Sequence, residues 1–147
     1  MSRTIVLCSS AAFYEHVNQL AEELENLGFK AIVPHNAREM KKRGSYNVEA
    51  TKTWYKNPED FKKKTQYMRG HFDEVANGDV ILVVNDEKHG VPGYIGPNVL
   101  LEMGLAFYLK KPIYILNTVN QDMPNYEEVI GMQPVFINND LTKIDKD

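Results

Sequence analysis

Short apolar runs alternate with amphipathic segments along this chain. Residues 5–8 form a continuous apolar run, which is typical of a strand that is buried on both faces. Apolar side chains then recur at three- and four-residue spacing from residue 13 to residue 27, and this period predicts an amphipathic helix that ends at Gly28. Residues 31–33 predict a second strand. These segments predict a βαβ unit with a right-handed crossover.

The alternation of strands and helices continues to the end of the chain. An Asn-Pro pair followed by two acids predicts a helix start at residue 57, and Gly78 marks the end of that helix. Its expected buried face consists of Phe61, Met68, Phe72 and Val75. Further strands are predicted at residues 79–85, 112–116 and 134–137, and further helices at residues 97–109 and 126–130.

Residues 35–57 do not fit this alternation and predict an excursion that contains one short helix. The excursion carries Tyr46, Trp54 and Tyr55, and three aromatic side chains in a loop-like stretch require a place to be buried. We therefore expect the excursion to cover a ligand crevice or a subunit interface.

Five strands that alternate with helices predict an α/β fold. The expected architecture is a doubly wound, flavodoxin-like (Rossmann-like) sheet of five parallel strands in the order 2-1-3-4-5, with helices on both faces. The length of 147 residues, of which 43% are hydrophobic and 25% charged, fits a single domain over residues 1–147.

Charge and hydrophobicity exclude several classes of protein. The net charge of −3 does not favour binding to nucleic acid or to an anionic membrane. The first apolar run is too short for a signal peptide, and the most apolar window, residues 95–109, contains Pro97 and Glu102 and falls short of a membrane span. We therefore expect a cytoplasmic protein.

The motifs of common cofactor and metal sites do not occur in the sequence. Cys8 is the only cysteine and no paired-histidine spacing is present, so no metal site is expected. The turn after the first strand lacks the glycines of the dinucleotide fingerprint, which disfavours NAD, and no Walker-type loop follows any strand. The basic runs at residues 41–43 and 62–64 predict solvated faces. We expect no cofactor.

The ends of the first and third strands predict a ligand crevice. Strand order reverses between these two strands, and ligands of open parallel sheets bind at such switch points. Ser9 and Ser10 follow the first strand, and Asn85 and Asp86 follow the third. Small polar side chains at this position suit a sugar or a phosphate. The alternative is that they cap helices and form turns.

Glu102 is the most informative single residue. Between His89 and Leu109 it is the only charged side chain when His89 is neutral, and it lies on an otherwise apolar helix. A buried carboxylate is costly unless it is paired or borders a crevice, so we interpret Glu102 as a functional acid whose pKa is raised by burial. Asn98, one helical turn earlier, is placed to orient it. The alternative is a glutamate that reaches solvent along a narrow stripe.

His71 lies on the apolar face of its predicted helix, between Met68 and Val75, and is expected to point inward. One interpretation is a hydrogen-bonded structural histidine. The other is that His71 faces Glu102 across the crevice and donates a proton or orients the carboxylate.

Three segments occur in a fixed order in the second half of the chain: the strand that opens with Asp79, the helical segment Glu102-Met-Gly-Leu-Ala106, and the Lys111-Pro pair that opens the next strand. Their order and spacing resemble the nucleoside 2-deoxyribosyltransferase superfamily, which includes the 2′-deoxynucleoside 5′-phosphate N-hydrolases. The first strand and its Ser-rich turn are also similar. The resemblance covers most of the chain and leaves out residues 35–57.

The resemblance implies an activity on nucleosides or nucleotides. Glu102 falls on the family's nucleophile, a carboxylate that attacks the anomeric carbon and forms a covalent glycosyl-enzyme, which a base or water then resolves. In the family an Asp often handles the proton of the leaving base, eight positions before the Asp that opens the strand, and His71 stands there in this chain. Gly96 stands six positions before Glu102, where the family carries a polar residue. The backbone N–H groups of Gly96 and Asn98 are left to hold an anion.

Three functions stay open at this point. The first is cleavage of an N-glycosidic bond or deoxyribosyl transfer, the second is a non-catalytic module that binds or senses a nucleotide in the same crevice, and the third is an interaction protein with an empty crevice. The resemblance also implies a homodimer. Glu102 and His71 are the expected catalytic residues, and the expected substrate contacts are Ser9, Ser10, Phe13, Asn85, Asp86, Gly96 and Asn98.

Overall fold

The computed structural model describes residues 2–147, which fold around one parallel sheet of five strands. The strands are β1 (Thr4–Ser9), β2 (Lys30–Ile32), β3 (Val80–Val84), β4 (Ile113–Ile115) and β5 (Val135–Phe136). Their spatial order, β2-β1-β3-β4-β5, confirms the predicted doubly wound α/β fold. Since Ser9 pairs with Val84, the carboxyl ends of β1 and β3 lie side by side.

Helices connect the strands and cover both faces of the sheet. Within residues 2–147 they are α1 (Tyr14–Asn26), α2 (His35–Arg43), α3 (Phe61–Asn77), α4 (Pro97–Tyr108) and α5 (Tyr126–Gly131). Short 3-10 turns at Ala11–Phe13 and Pro58–Asp60 lead into α1 and α3. No helix in the described part of the chain is both long enough and apolar enough to cross a membrane.

The core consists of two layers because successive residues of each strand point to opposite faces. Leu7 and Leu82 pack in the layer beneath α1, whereas Cys8 and Val83 pack in the layer beneath α3 and α4. All four side chains are buried. A strand that is covered on both faces has to be apolar throughout, which explains why β1 and β3 give continuous apolar runs in the sequence.

The excursion contains one short helix, as predicted, but its packing against α3 corrects one expectation for that helix. Its helix, α2, is nine residues long, and only residues 44–57 lack both helix and strand. Phe61 was expected on the buried face of α3, but it is 48% exposed. Its ring lies 6.3 Å from the ring of Trp54, so this first turn of α3 packs on the excursion and not on the sheet.

Buried contacts at Asn85 and Gly93 anchor the loop between β3 and α4. The Asn85 amide donates to the carbonyl oxygens of Asn117 at 2.8 Å and Gly93 at 3.4 Å, and its side-chain oxygen accepts from the Asn117 N–H at 2.9 Å. Gly93 has a φ of +67°, and a Cβ there would overlap the carbonyl oxygen of Thr118. The loop is thereby tied to the segment that follows β4.

We expect Gly93→Ala to lower the free energy of unfolding by about 3 kcal/mol or more, because steric overlap adds to the strain of a left-handed backbone. Gly90→Ala is the matched control. Gly90 lies in the same loop with a φ of +76°, but a Cβ there meets nothing within 4 Å, so it should cost only about 1 kcal/mol. Urea denaturation measures both variants. Equal losses would show that the close approach to Thr118 does not anchor the loop.

Candidate active site

A cavity of about 330 Å³ opens at the carboxyl end of β1, where the ligand crevice was predicted. Six of the nine predicted site residues line it: Ser9, Ser10, His71, Gly96, Asn98 and Glu102. They come from three separate segments of the chain, namely the end of β1, the middle of α3 and the first turns of α4. The doubly wound topology brings these segments together at one edge of the sheet.

The other three predicted substrate contacts do not line this cavity. Phe13 is 6% exposed and packs in the core layer beneath α1. Asn85 is fully buried and is occupied by its bonds to Asn117. The carboxylate of Asp86 lies 2.7 Å from His16 Nδ1 at the protein surface. Phe13 is thus a core residue, and the polar side chains of Asn85 and Asp86 are engaged by other parts of the protein, which fits the alternative of turn and packing roles.

Glu102 is held on the buried face of α4. It is 3% exposed and shares this face with Val99 and Met103, at the spacing of one side of a helix. Asn98 donates from Nδ2 to Glu102 Oε2 at 3.2 Å, the orienting contact expected from the sequence. Burial raises the pKa of Glu102, and the neighbouring His71 offsets part of that shift. The carboxyl group is desolvated, yet it borders the cavity.

His71 contacts three side chains at the inner end of the cavity. Its Nδ1 lies 3.2 Å from Glu74 Oε1, and its Nε2 lies 3.5 Å from Cys8 Sγ and 3.9 Å from Glu102 Oε1. The proximity of His71 to Glu102 that the sequence led us to expect is thus present. Burial alone would lower the pKa of His71, but the bond to Glu74 and the charge of Glu102 outweigh it, and the net pKa is raised.

Glu74 extends these contacts away from the cavity and was missed in the sequence. Burial would raise the pKa of Glu74, but His71 and Arg38 of α2 lower it, and the net pKa is below its ordinary value. Arg38 Nη1 lies 3.2 Å from Glu74 Oε2. An ionised carboxylate only accepts hydrogen bonds, so Glu74 fixes the proton of His71 on Nδ1 and leaves Nε2 facing Glu102.

Cys8 and Tyr14 also surround Glu102, although sequence reasoning did not single them out as site residues. Burial raises the pKa of the Cys8 thiol, and the charge of Glu102 adds to the shift. Tyr14 lines the cavity. Burial raises the pKa of its phenol, and the charge of Glu102 raises this pKa further. Both groups therefore stay protonated near neutral pH and remain hydrogen-bond donors. In the sequence, Cys8 is indistinguishable from the apolar core residues that precede it.

The excursion forms one wall of the cavity, as predicted, although of its three aromatic residues Trp54 alone is buried and Tyr55 is 79% exposed. Trp54 is 4% exposed, and its ring lies 6.4 Å from the ring of Tyr67 of α3. His35 stacks on Tyr67 with 5.9 Å between ring centroids. All three residues line the cavity. A wall with aromatic faces suits a nucleobase, which binds proteins by stacking.

Three lysines from three segments line the same cavity: Lys52, Lys64 and Lys88. Among the described residues, no carboxylate forms an ion pair with any of them. Lys88 Nζ donates to Ser10 Oγ at 3.0 Å. Burial lowers the pKa of Lys52, and the positive charges of Lys88 and Lys64 lower it further. This lysine cluster is therefore a region of positive potential that no carboxylate of the described residues neutralises by an ion pair.

The position of Lys64 shows that the prediction of a solvated face for residues 62–64 is wrong at this residue. Lys62 and Lys63 do lie at the surface, where they pair with Glu59 and Asp60. Each further residue of a helix turns by about 100°, so Lys64 leaves that surface and reaches the cavity instead. The three consecutive lysines differ in direction because they lie on a helix, and this difference is not visible when the run is treated as one charged face.

We expect Glu102→Gln to raise the free energy of unfolding at and above neutral pH by about 1–3 kcal/mol. Because folding raises the pKa of Glu102, the wild-type protein loses stability as pH rises through that pKa, whereas glutamine does not titrate. The advantage of the variant should therefore shrink toward zero below about pH 3, where the carboxyl is neutral in both states. Urea denaturation at a series of pH values measures the difference.

Glu22→Gln is the control for this comparison, because Glu22 is 69% exposed and forms only a surface pair with Lys41. It should change the free energy of unfolding by less than about 0.5 kcal/mol at every pH. A Glu102→Gln protein that is less stable than wild type above neutral pH would contradict the prediction. That result would mean that the carboxylate is a structural hydrogen-bonding group.

Comparisons with protein families and with curated proteins give no relative of this chain. No protein-family model matches the chain, and no curated protein matches it significantly.

Proposed function

We propose that this protein cleaves the N-glycosidic bond of a nucleoside or nucleoside 5′-monophosphate, or transfers its deoxyribosyl group, with Glu102 as the nucleophile. One observation carries the proposal. Glu102 is only 3% exposed, yet its carboxyl group borders a cavity, and His71 lies 3.9 Å from it. Burying a carboxylate opposes folding, and groups with strongly perturbed pKa values cluster at functional sites.

In the first step an oxygen of Glu102 forms a bond to the anomeric carbon while the bond from that carbon to the base nitrogen breaks. The electron pair of the broken bond leaves with the base. Asn98 supports this step because its bond to Oε2 at 3.2 Å fixes the orientation of the carboxylate. The product of the step is a covalent ester between the sugar and Glu102.

His71 is the proposed group for both proton transfers. Its raised pKa keeps a larger share of the imidazole protonated near neutral pH, so it can give a proton to the leaving base. In the second step it takes a proton from the water that attacks the anomeric carbon, and Glu102 leaves with the electron pair of the ester. If a second nucleobase attacks the anomeric carbon in place of water, the deoxyribosyl group is transferred to that nucleobase. Glu74 stabilises the imidazolium through its bond to Nδ1.

The lysine cluster favours a 5′-monophosphate over an uncharged nucleoside. Three ammonium groups that repel one another and lack carboxylate partners gain most from a doubly charged anion. The wall formed by Trp54 and Tyr67 suits the base of the same ligand. With the base and the phosphate held in this way, the sugar would lie between them and face Glu102.

The proposal includes the homodimer that the resemblance implies. Support comes from α4, whose outer side exposes Leu101, Phe107 and Tyr108 at 53%, 54% and 82%. Single exposed apolar residues are ordinary at protein surfaces, but three on the helix that carries Glu102 form a surface suited to a second copy of the chain.

One observation favours the alternative of a nucleotide-binding or sensing module. The thiol of Cys8 lies 3.5 Å from His71 Nε2, which is the nitrogen that would have to reach the leaving base. In that arrangement the cavity would bind a nucleotide without breaking its glycosidic bond. Turnover separates the two functions, since tight binding of a 5′-monophosphate with no free base would support the sensing module.

We expect Glu102→Ala to reduce release of free base by about a thousandfold or more, because a nucleophile is removed while the fold is kept. The measurement is chromatography of free base from a panel of nucleosides and 5′-monophosphates, with circular dichroism to check the fold. Asp86→Asn is the matched control, since Asp86 was predicted at the crevice but lies outside the cavity lining. It should keep nearly full activity. A Glu102→Ala protein that melts lower yet keeps its specific activity would exclude Glu102 as the nucleophile.

We expect Lys52→Ala to lower kcat/KM for a 5′-monophosphate by about 10–100-fold and to leave kcat/KM for the matching nucleoside nearly unchanged. The reason is that Lys52 is assigned to the phosphate and not to the sugar or the base. Lys56→Ala is the control, because Lys56 lies in the same excursion but is exposed and does not line the cavity. Equal losses on both substrates would show that Lys52 does not recognise a phosphate.

A further inference from the structure

We propose that Cys8, His71 and Glu102 form a binding site for Zn²⁺ at the inner end of the cavity. Each residue offers one donor atom, and these three atoms lie within 4.8 Å of one another. The three residues are buried and come from β1, α3 and α4, so the site is assembled by the tertiary fold. This assignment goes beyond the proposed glycosyl chemistry and does not depend on it.

The spacing of the donor atoms fits a tetrahedral ion. Zn²⁺ lies about 2.3 Å from a thiolate sulfur and about 2.0–2.2 Å from nitrogen and oxygen ligands, which places ligand atoms about 3.4–3.6 Å apart. Cys8 Sγ and His71 Nε2 are already 3.5 Å apart, and His71 Nε2 and Glu102 Oε1 are 3.9 Å apart. Side-chain shifts of roughly 1 Å or less would close the site around the ion.

The outer contacts of two ligands match those of known zinc sites. A histidine that binds a metal through one nitrogen usually donates from the other to a carboxylate, which fixes its tautomer and raises its basicity. His71 has this arrangement, since Nδ1 faces Glu74 at 3.2 Å and Nε2 faces the other two donors. Glu102 is oriented in the same manner by Asn98 at 3.2 Å. Two of the three ligands therefore already have the outer hydrogen-bond partners that would orient them toward an ion.

The donor set selects the kind of cation. A thiolate with an imidazole suits Zn²⁺, whereas Mg²⁺ and Ca²⁺ prefer oxygen ligands only. His71 and Glu102 border the cavity, so a fourth position would open toward it, as in zinc sites that keep one place for water or a ligand. Zn²⁺ binds the thiolate, so the proton of the Cys8 thiol passes to solvent when the ion binds and no redox partner is needed.

A bound ion would also affect the proposed reaction. Glu102 cannot attack the anomeric carbon while its carboxylate holds Zn²⁺, so Zn²⁺ should inhibit base release and a chelator should restore it. This consequence alone rests on the proposed function. The binding of the ion is measured without substrate, so failure of one claim is distinguishable from failure of the other.

The direct test uses the full chain after removal of metal with EDTA. We expect equilibrium dialysis to give one tightly bound Zn²⁺ per chain. When Co²⁺ replaces Zn²⁺, we expect the near-ultraviolet charge-transfer band of a thiolate ligand and the strong visible bands of a tetrahedral Co²⁺ complex. Since the chain has a single cysteine, this band reports on Cys8 alone. A saturated Co²⁺ complex of the wild-type protein without this band would overturn the proposal, whatever the variants do.

Variants then assign the ligands. Cys8→Ala should abolish the charge-transfer band and weaken Zn²⁺ binding at least about 100-fold, and Glu74→Gln should keep the band but weaken binding by about 10–100-fold. His35→Asn is the matched control, because His35 lines the same cavity but stacks on Tyr67 away from the cluster. It should bind Zn²⁺ like the wild-type protein. The assignment would be overturned if Cys8→Ala and His35→Asn weakened Zn²⁺ binding equally, or if neither variant weakened it.

Discussion

The charge of Glu102 lies on a helix face that packs against the sheet, so neighbouring polar groups have to compensate for its burial. Asn98 does so from the same helix, and His71 does so from α3. His71 in turn depends on Glu74, and Glu74 depends on Arg38 of α2. A buried charge without such partners would cost several kcal/mol, so this row of contacts is what allows a carboxyl group to remain at the inner end of the cavity.

Charge is distributed along the cavity in a way that gives a ligand one orientation. Glu102 borders the inner end, Glu74 contacts His71 from outside the lining, and the three lysines come from segments around the rest of the lining. An anionic group is therefore attracted to the lysines and repelled from the carboxylates. The aromatic wall of the excursion adds a surface for a planar group. The proposed nucleotide would offer an anionic group to the lysines and a planar base to the wall, whereas the proposed zinc ion would contact only Cys8, His71 and Glu102.

Most of the fold follows from local patterns in the sequence. The apolar runs of β1 and β3, the helical period of α1 and the Gly-Pro start of α4 each depend on a few neighbouring residues, because backbone geometry sets their spacing. The strand order is one of the common orders of doubly wound sheets, whose parallel crossovers are right-handed. Phe61 was placed wrongly because its helix extends past the sheet, and helical periodicity does not say what covers each turn.

The candidate site divides along the same line. The sequence by itself determined that one carboxylate stands on an apolar helix and that an inward histidine precedes it, because each is an outlier within its own element. Only the tertiary structure decided that Cys8 and Glu74 contact His71, that the three lysines line the cavity, and that Asn85 and Asp86 do not line it. The physical reason is that a shared cavity depends on distances between elements that are far apart in the chain. A residue's own neighbours in sequence record its burial, but they do not record which side chains from other elements meet it there.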